Sequence, residues 1–201
     1  MNNNIHFPAE PKHPAPKPVF KDGKPEPFPA DSLWLTHDPA IYHDPVSGNY
    51  YIYSTDARGL RSKDLINWER IGKITDKPPK EAFEHVGTNN IWAPDIVKVG
   101  DEYRLYCSNS SFGSQKSCIY LAVADNAEGP FIPRGIVVKT DSSCHLNAID
   151  ANIIEDNDSE KQYMVYGSFW GGCHILELDK KTGLAREKGF GKCIKPLVRR
   201  L

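Results

Sequence analysis

The sequence has no long run of apolar residues and no excess of charge of either sign. Its longest uncharged apolar run, from Cys118 to Ala124, has seven residues, whereas a membrane-spanning helix needs about 20. The 25 Lys and Arg residues and the 26 Asp and Glu residues give a formal net charge of -1 over 201 residues. A surface without a basic excess does not favour polyanions. The composition therefore predicts neither a nucleic-acid partner nor a membrane partner.

Signals for export, disulfide formation and metal binding are also missing. Met1 is followed by Asn-Asn-Asn-Ile-His-Phe, which lacks the basic start and the apolar stretch of a secretory signal. The five cysteines are odd in number, and no two of them have the C-x-x-C spacing of a zinc or redox site. The sequence as written predicts reduced thiols, no metal site and a cytoplasmic protein. If the true start is missing, an extracellular location is expected instead.

Proline is concentrated at one end of the chain. Eight of the 16 prolines lie between Pro8 and Pro29, interleaved with Lys and Glu. Such a stretch buries little and neither joins a ladder nor propagates a helix. We predict that residues 1–30 form an extended arm, which is either an unstructured leader or a strap along the folded body.

From Asp31 onward the pattern is typical of an all-β fold. Short runs rich in Tyr, Ile, Val and Trp alternate with Gly, Asn, Asp and Ser turns. Three segments resemble one another: each opens with an aspartate (Asp38, Asp95 and Asp150), followed by a strand, a turn and a tyrosine-rich second strand. The aspartates are 57 and 55 residues apart. Units of this length favour the four-stranded blades of a β-propeller over a two-sheet sandwich.

The length allows only part of a propeller. Residues 31–201 number 171, which at a mean spacing of 56 residues makes about three blades, whereas propellers close with about 4 to 8. We therefore expect residues 31–201 to be a partial propeller, blades 1 to 3. The missing blades would lie on a longer or a separate chain, because three blades leave sheet edges uncovered.

The three aspartates are candidate catalytic residues. The first strand of each blade runs beside the central channel, so residues in the same place in every unit converge at one mouth. Converging carboxylates suit general acid/base hydrolysis of a glycosidic bond. The alternative is that an aspartate before a strand only stabilises a turn.

The sequence around these aspartates matches a known family. The motifs, in chain order, are His37-Asp38-Pro39-Ala40-Ile41, Trp92-Ala93-Pro94-Asp95-Ile96, Ser110-Ser111-Phe112-Gly113, Asn147-Ala148-Ile149-Asp150 and Gly167-Ser168-Phe169-Trp170. Together they resemble the endo-arabinanases of glycoside hydrolase family 43, from about Leu33 to about Asp179. The resemblance implies a five-bladed β-propeller that hydrolyses internal α-1,5-linked arabinofuranosyl bonds of arabinan or arabino-oligosaccharides with inversion.

The resemblance also implies roles for individual residues. Asp38 is expected to be the general base that holds the attacking water. Asp150 is expected to modulate the pKa of the general acid and to help orient it. Aromatic rings stack on the C–H faces of sugars, and amides and hydroxyls bond sugar hydroxyls. Substrate contacts are implied for Trp92, Phe112, Gly113, Asn147, Ala148, Ile149, Ser168, Phe169 and Trp170.

One expected residue is missing. The family's general acid is a glutamate in a Glu-Ala-Pro or Glu-Gly-Pro motif that opens the fourth blade, and none follows Trp170. Glu128-Gly-Pro has the residues of this motif, but its position in the sequence predicts a turn between outer strands of blade two. Glu177 and Glu187 also have the wrong context, and Ala151 replaces the family's usual proline. We expect the chain alone to be inactive.

The sequence leaves other hypotheses about ligands and function open. No cofactor is expected, although the complete propeller could hold a structural Ca²⁺ or another cation. An exo-acting α-L-arabinofuranosidase or β-xylosidase of the same family, or a non-catalytic carbohydrate-binding propeller, would share these motifs. Without the resemblance, Asp38 and Asp150 would pair as base and acid.

Overall fold

The structure is a computed structural model that describes residues 19–26, 36–187 and 195–196. Most of the predicted arm lies outside the described residues. Its described part is a hairpin of β1 (Phe20–Lys21) and β2 (Lys24–Pro25). The turn between them, Asp22-Gly23, has positive φ at both residues, as a type I′ hairpin turn requires.

The rest of the described chain forms three four-stranded antiparallel sheets, in which neighbouring strands follow chain order. The first contains β3 (Ala40–His43), β4 (Tyr50–Ser54), β5 (Arg58–Ser62) and β6 (Trp68–Lys73). The second contains β7 (Trp92–Val99), β8 (Glu102–Asn109), β9 (Ser117–Ala124) and β10 (Ile132–Thr140). The third contains β11 (Asn152–Asp156), β12 (Lys161–Tyr166), β13 (His174–Leu178) and β14 (Lys195–Pro196). The prediction of an all-β fold is confirmed, and each sheet has the strand order of a propeller blade.

Two short helical segments interrupt the strands. A 3-10 turn, Thr55–Ala57, joins β4 to β5, and helix α1, Lys80–Val86, lies between the first and second sheets. The sequence analysis did not predict α1, because seven residues are too few for a clear 3.6-residue period.

The hydrophobic core lies between the sheets. One cluster joins the first sheet to the second and includes Tyr53, Leu105 and Phe131; a second cluster includes Met164 and Tyr166 of the third sheet. The Tyr53 side chain in the first cluster is also anchored at its polar end, because its hydroxyl donates to the Ala127 carbonyl at 2.7 Å. The packing places β3, β7 and β11 side by side, so the starts of these strands are neighbours.

The structure corrects the alignment of the three units. Ala40 of β3 pairs with Tyr53, and Asp95 of β7 pairs with Tyr106. Asp95 is therefore the counterpart of Ala40 and not of Asp38.

The true counterpart of Asp38 in the second sheet is Ala93. Asp38 lies two residues before Ala40, and Ala93, the second residue of β7, lies two residues before Asp95. Asp38, Ala93 and Asp150, which lies two residues before β11, have left-handed φ values of 49°, 33° and 59°. Such a conformation is uncommon outside glycine. A left-handed residue thus opens each sheet, and only two of the three carry a carboxylate.

Candidate active site

A cavity of about 530 Å³ opens where the three sheets begin. Of the eleven residues predicted for the site, ten line it, and Ala148 does not. The cavity wall also contains residues to which the sequence analysis gave no role: His37, Thr55, Ser110, Ser111 and Ser114.

Asp38 lies at the cavity with one carboxylate oxygen held by two neighbours. His37 Nδ1 lies 2.7 Å from Asp38 Oδ2, and Thr55 Oγ1 donates to the same oxygen at 3.1 Å. Both contacts engage Oδ2, which leaves Oδ1 for a water or a substrate group. The His37 side chain is 79% exposed, and exposed ion pairs contribute little to stability.

Asp150 shares this cavity with Asp38. Its backbone N–H donates to Ser108 Oγ at 3.0 Å. Although the residue keeps contact with solvent, the cavity wall removes part of the hydration of its carboxylate, and this burial raises the pKa of Asp150. The negative charge of Asp38 raises the pKa further, and His37 lowers it. The Asp38 carboxylate is therefore close enough to influence the protonation of Asp150.

Asp95 does not join them, which corrects the expectation that three aspartates converge. Its carboxylate accepts the backbone N–H of Ile153 at 2.6 Å and the Asn152 amide at 3.3 Å. Burial raises the pKa of Asp95, and these N–H donors partly offset the effect. Asp95 instead links β7 to the start of β11, two residues beyond Asp150.

Three strongly exposed aromatic side chains stand at the cavity. Phe112 is 99% exposed, Phe169 73% and Trp170 47%. The Phe169 and Trp170 rings meet edge to face with centroids 6.2 Å apart. Trp170 has φ 59°, which is strained for a bulky residue and typical of functional sites. Exposed rings around a concave surface suit stacking on sugar faces.

The loop that carries Phe112 is fixed to the end of β10 and to the connection that leads from β10 to the third sheet. Gln115 Nε2 donates to the Cys144 carbonyl at 2.8 Å, and Thr140 Oγ1 donates to the Gln115 carbonyl at 2.9 Å. The same Thr140 hydroxyl accepts the N–H of Ala148 at 2.9 Å. Ala148 is fully buried, so its side chain cannot make the expected substrate contact. Ala148 instead packs beneath the residues that line the cavity.

Asn147 and Ile149 support the loop that carries Trp170. Asn147 is buried, and its Oδ1 accepts the N–H of Ser168 at 3.2 Å. The Ile149 carbonyl accepts the N–H of Gly167 at 2.8 Å. Both residues therefore have a positioning function in addition to lining the cavity.

No glutamate among residues 19–26 and 36–187 lines the cavity. Glu128 lies between β9 and β10, as expected, and forms an ion pair with Arg61 at 2.5 Å. Glu177 lies in β13 and pairs with Arg186 at 2.6 Å and with Lys161 at 3.3 Å. Neither is placed to protonate a group bound in the cavity.

In the described part of the chain, no three His, Cys, Asp or Glu side chains come together as a metal site. The structural cation of the complete propeller stays a prediction. No helix among these residues has the length and apolar character needed to cross a membrane.

Comparison with known proteins identifies the family. Residues 34–197 match the family model described as Glycosyl hydrolases family 43. The chain belongs to glycoside hydrolase family 43. One family relative, the extracellular endo-alpha-(1->5)-L-arabinanase of Thermotoga petrophila, is 36% identical over an alignment 187 positions long, which covers 79% of this chain and 39% of that protein. The predicted family resemblance is confirmed.

Solved structures of arabinanases share the fold. The native arabinanase Arb43A of Bacillus subtilis superposes with a TM-score of 0.70 at 33% identity, over 78% of this chain and 56% of that one. An α-L-arabinanase of Cellvibrio cellulosa, solved in complex with arabinohexaose, has a TM-score of 0.68 at 28% identity, over 76% and 50%. This chain of glycoside hydrolase family 43 thus spans about 39% of the Thermotoga protein and about half of each solved chain.

Proposed function

We propose that the protein containing this chain hydrolyses internal α-1,5-linked arabinofuranosyl bonds in arabinan, with inversion at the anomeric carbon. The observation that carries the proposal is the cavity that Asp38 and Asp150 share with exposed aromatic side chains. Membership of glycoside hydrolase family 43 and the arabinanase names of its relatives support this choice of chemistry.

Asp38 acts as the general base in this proposal. Its Oδ2 is held by Thr55 and His37, so Oδ1 takes the proton of a water as that water attacks the anomeric carbon. An inverting hydrolase leaves room for this water by holding its base and acid about 6.5 to 9.5 Å apart. A general acid protonates the leaving oxygen in the same step.

Asp150 is the proposed modulator of that acid. A carboxylate near a second carboxyl group raises the pKa of its neighbour and keeps it protonated. The charge of Asp38 raises the pKa of Asp150 in this way, which supports such an effect between carboxyl groups in this cavity. Asp150 also lies beside the Trp170 loop, where it can bond a sugar hydroxyl.

We propose that the general acid is a glutamate supplied by a part of the propeller beyond these three sheets, which makes five blades in all. Among the described residues no glutamate reaches the cavity. Residues 1–201 alone are then inactive. The missing blades, on a longer or a separate chain, are the proposed protein partner.

Arabinan or an arabino-oligosaccharide is the proposed substrate, stacked on Trp92, Phe112, Phe169 and Trp170. The arabinohexaose bound by the Cellvibrio protein supports an extended pentose chain as the ligand. The extracellular name of the Thermotoga relative supports the extracellular location and not the cytoplasmic one.

The test is hydrolysis of linear α-1,5-arabinan by the complete polypeptide, with early products separated by size and the new anomeric centre followed by proton NMR. We expect mixed oligosaccharides and the inverted anomer. Asp38→Asn should lower turnover by about 10²- to 10⁴-fold, and Asp125→Asn, which removes an exposed charge between β9 and β10, should not.

Each alternative has its own outcome in the same experiment. Arabinose released singly from chain ends would make the enzyme exo-acting. Activity on β-xylosides alone would change the substrate. Binding of arabinan without new reducing ends would make the propeller a carbohydrate-binding module.

A further inference from the structure

A single hydroxyl group connects Asp38 to the second sheet. Thr55 follows β4 and lines the cavity. Its Oγ1 donates to Asp38 Oδ2 at 3.1 Å and accepts the backbone N–H of Ala93 at 3.2 Å. A hydroxyl has one hydrogen to donate and lone pairs to accept, so both bonds form at once.

The backbone around Thr55 is fixed on both sides. Its own N–H donates to the His37 carbonyl at 3.0 Å, and the N–H of Asp56 donates to the Ile91 carbonyl at 2.8 Å. A β-branched side chain on a fixed backbone has little freedom about χ1. The Thr55 hydroxyl is therefore a preorganised donor.

The next interface between sheets repeats half of this arrangement. Ser108, near the end of β8, is the counterpart of Thr55, because Tyr106 and Tyr53 occupy the same place in their sheets. The buried Ser108 hydroxyl accepts the N–H of Asp150 at 3.0 Å, just as Thr55 accepts that of Ala93.

The difference between the two interfaces identifies what Thr55 adds. A hydroxyl at the end of the second strand receives the N–H of the left-handed residue that opens the next sheet. At the first interface, the left-handed residue of the sheet that carries the hydroxyl is Asp38, and the Thr55 hydroxyl also donates to its carboxylate. At the second interface, the equivalent residue is Ala93, whose side chain has no acceptor for the Ser108 hydroxyl. Of these two hydroxyls, only that of Thr55 thus combines the link between sheets with a bond to a cavity carboxylate.

We propose that Thr55 is a positioning residue for Asp38. By holding Oδ2, it sets the rotation of the carboxylate so that Oδ1 is presented to the water. Through Ala93, it fixes this carboxylate relative to Trp92 in the second sheet. The inference rests on the proposed function, because that function makes Asp38 the base.

Thr55 is the better candidate for this role than His37. Both contact Oδ2, but the His37 side chain is 79% exposed, and a mobile exposed partner orients a carboxylate poorly. The Asp38 side chain is itself 43% exposed and gains little orientation from packing. Its orientation must therefore come from a fixed donor.

The test compares Thr55→Val, which removes the hydroxyl at nearly constant shape, with Thr55→Ser, which keeps it. In the complete polypeptide acting on linear arabinan, Thr55→Val should lower kcat by about 10- to 100-fold and leave KM within about twofold. Thr55→Ser should recover most of kcat. Thr182→Val, in an exposed turn of the third sheet, is the matched control and should keep wild-type activity.

A second readout does not depend on activity. In the 201-residue chain, the amide proton of Ala93 should move upfield and exchange faster in Thr55→Val, with the Asp150 amide unchanged, and Thr55→Ser should restore it. If Thr55→Val does not fold, Thr55→Ala serves for both measurements.

Failure of this inference is distinct from failure of the proposed function. A wild-type polypeptide that releases no oligosaccharide overturns the function, and the positioning role with it. An active wild type with an equally active Thr55→Val, or with Thr55→Ser as impaired as Thr55→Val, overturns the role of Thr55 alone.

Discussion

At the scale of single residues, the two cavity carboxylates have different surroundings. Asp38 is held by side chains at one oxygen, whereas Asp150 is held by its backbone and loses hydration to the cavity wall. Burial and the charge of Asp38 both favour the protonated form of Asp150.

Removing the charge of Asp38 should therefore lower the pKa of Asp150. We expect Asp38→Asn to shift the Asp150 titration, followed by carboxyl-carbon NMR, to lower pH, although burial still keeps it above its ordinary value. Asp125→Asn changes the net charge equally at a distant exposed site and should leave the titration in place. An unchanged or raised pKa in Asp38→Asn would show that the two carboxylates do not interact.

The raised pKa of Asp150 also makes stability depend on pH. Between the pKa of the unfolded chain and the higher pKa of the folded state, the folded state binds more protons, so stability falls as pH rises through this interval. The Asp150→Asn variant lacks this loss of stability, because its side chain does not titrate. The free energy of unfolding in urea of Asp150→Asn minus that of wild type should therefore rise from pH 3 to pH 7. A constant or falling difference would contradict a raised pKa of Asp150.

At the scale of elements, the start of β11 is held from the neighbouring sheet. Asp95 of β7 accepts two N–H groups from β11, and Ser108 of β8 accepts the N–H of Asp150. The second sheet thus supports the residue that the third sheet presents to the cavity.

Loss of the Asp95 carboxylate should weaken this contact between β7 and β11 and lower the stability of the fold. Asp95→Ala leaves the Ile153 N–H without its charged acceptor and should destabilise the protein by about 1 to 3 kcal/mol, measured by urea unfolding. Asp95→Asn keeps an acceptor oxygen and should cost less. Asp101→Ala, at the exposed β7–β8 turn, is the control. An equal loss of stability in Asp101→Ala would contradict a stabilising role of the Asp95 contacts with β11.

The loop that carries Trp170 depends on close backbone contact. A Cβ on Gly171 would lie 2.4 Å from the His145 carbonyl oxygen, whereas at Gly172, with φ +75°, nothing lies within 4 Å. Gly171→Ala should destabilise the fold by about 1 to 3 kcal/mol, alter the emission of Trp170 and weaken binding of arabino-oligosaccharides. Gly172→Ala adds only backbone strain, and identical binding losses in both variants would contradict this explanation.

The elements also show how far sequence reasoning reached. The three-unit repeat predicted the sheets, because turn residues and tyrosine-rich strands recur at a readable spacing. It misaligned the second unit by two residues, since it matched Asp95 to Asp38 by residue type and Ala93 carries no functional group to match. Thr55 was missed because a threonine after a strand has no motif of its own. The burial of Ala148 depends on a loop folding over it, which spacing does not report.

At the scale of the whole molecule, three antiparallel sheets form the wall of the candidate active site. Adjacent sheets share cores, and their starting residues meet at a single cavity. The chain spans 39% of its Thermotoga relative, and the cavity lacks a glutamate within the described residues. In the proposed function, the base and the modulator therefore lie in these sheets, and the acid lies in further blades.

The most direct test of this division is reducing-sugar release from linear α-1,5-arabinan by residues 1–201 alone, beside the same polypeptide extended by two more blades from its own gene. We predict activity in the extended form only, and its loss in extended Asp38→Asn. Turnover by residues 1–201 alone at ordinary enzyme rates, roughly 1 to 10³ per second, would contradict the account, because the acid would then have to be Asp150.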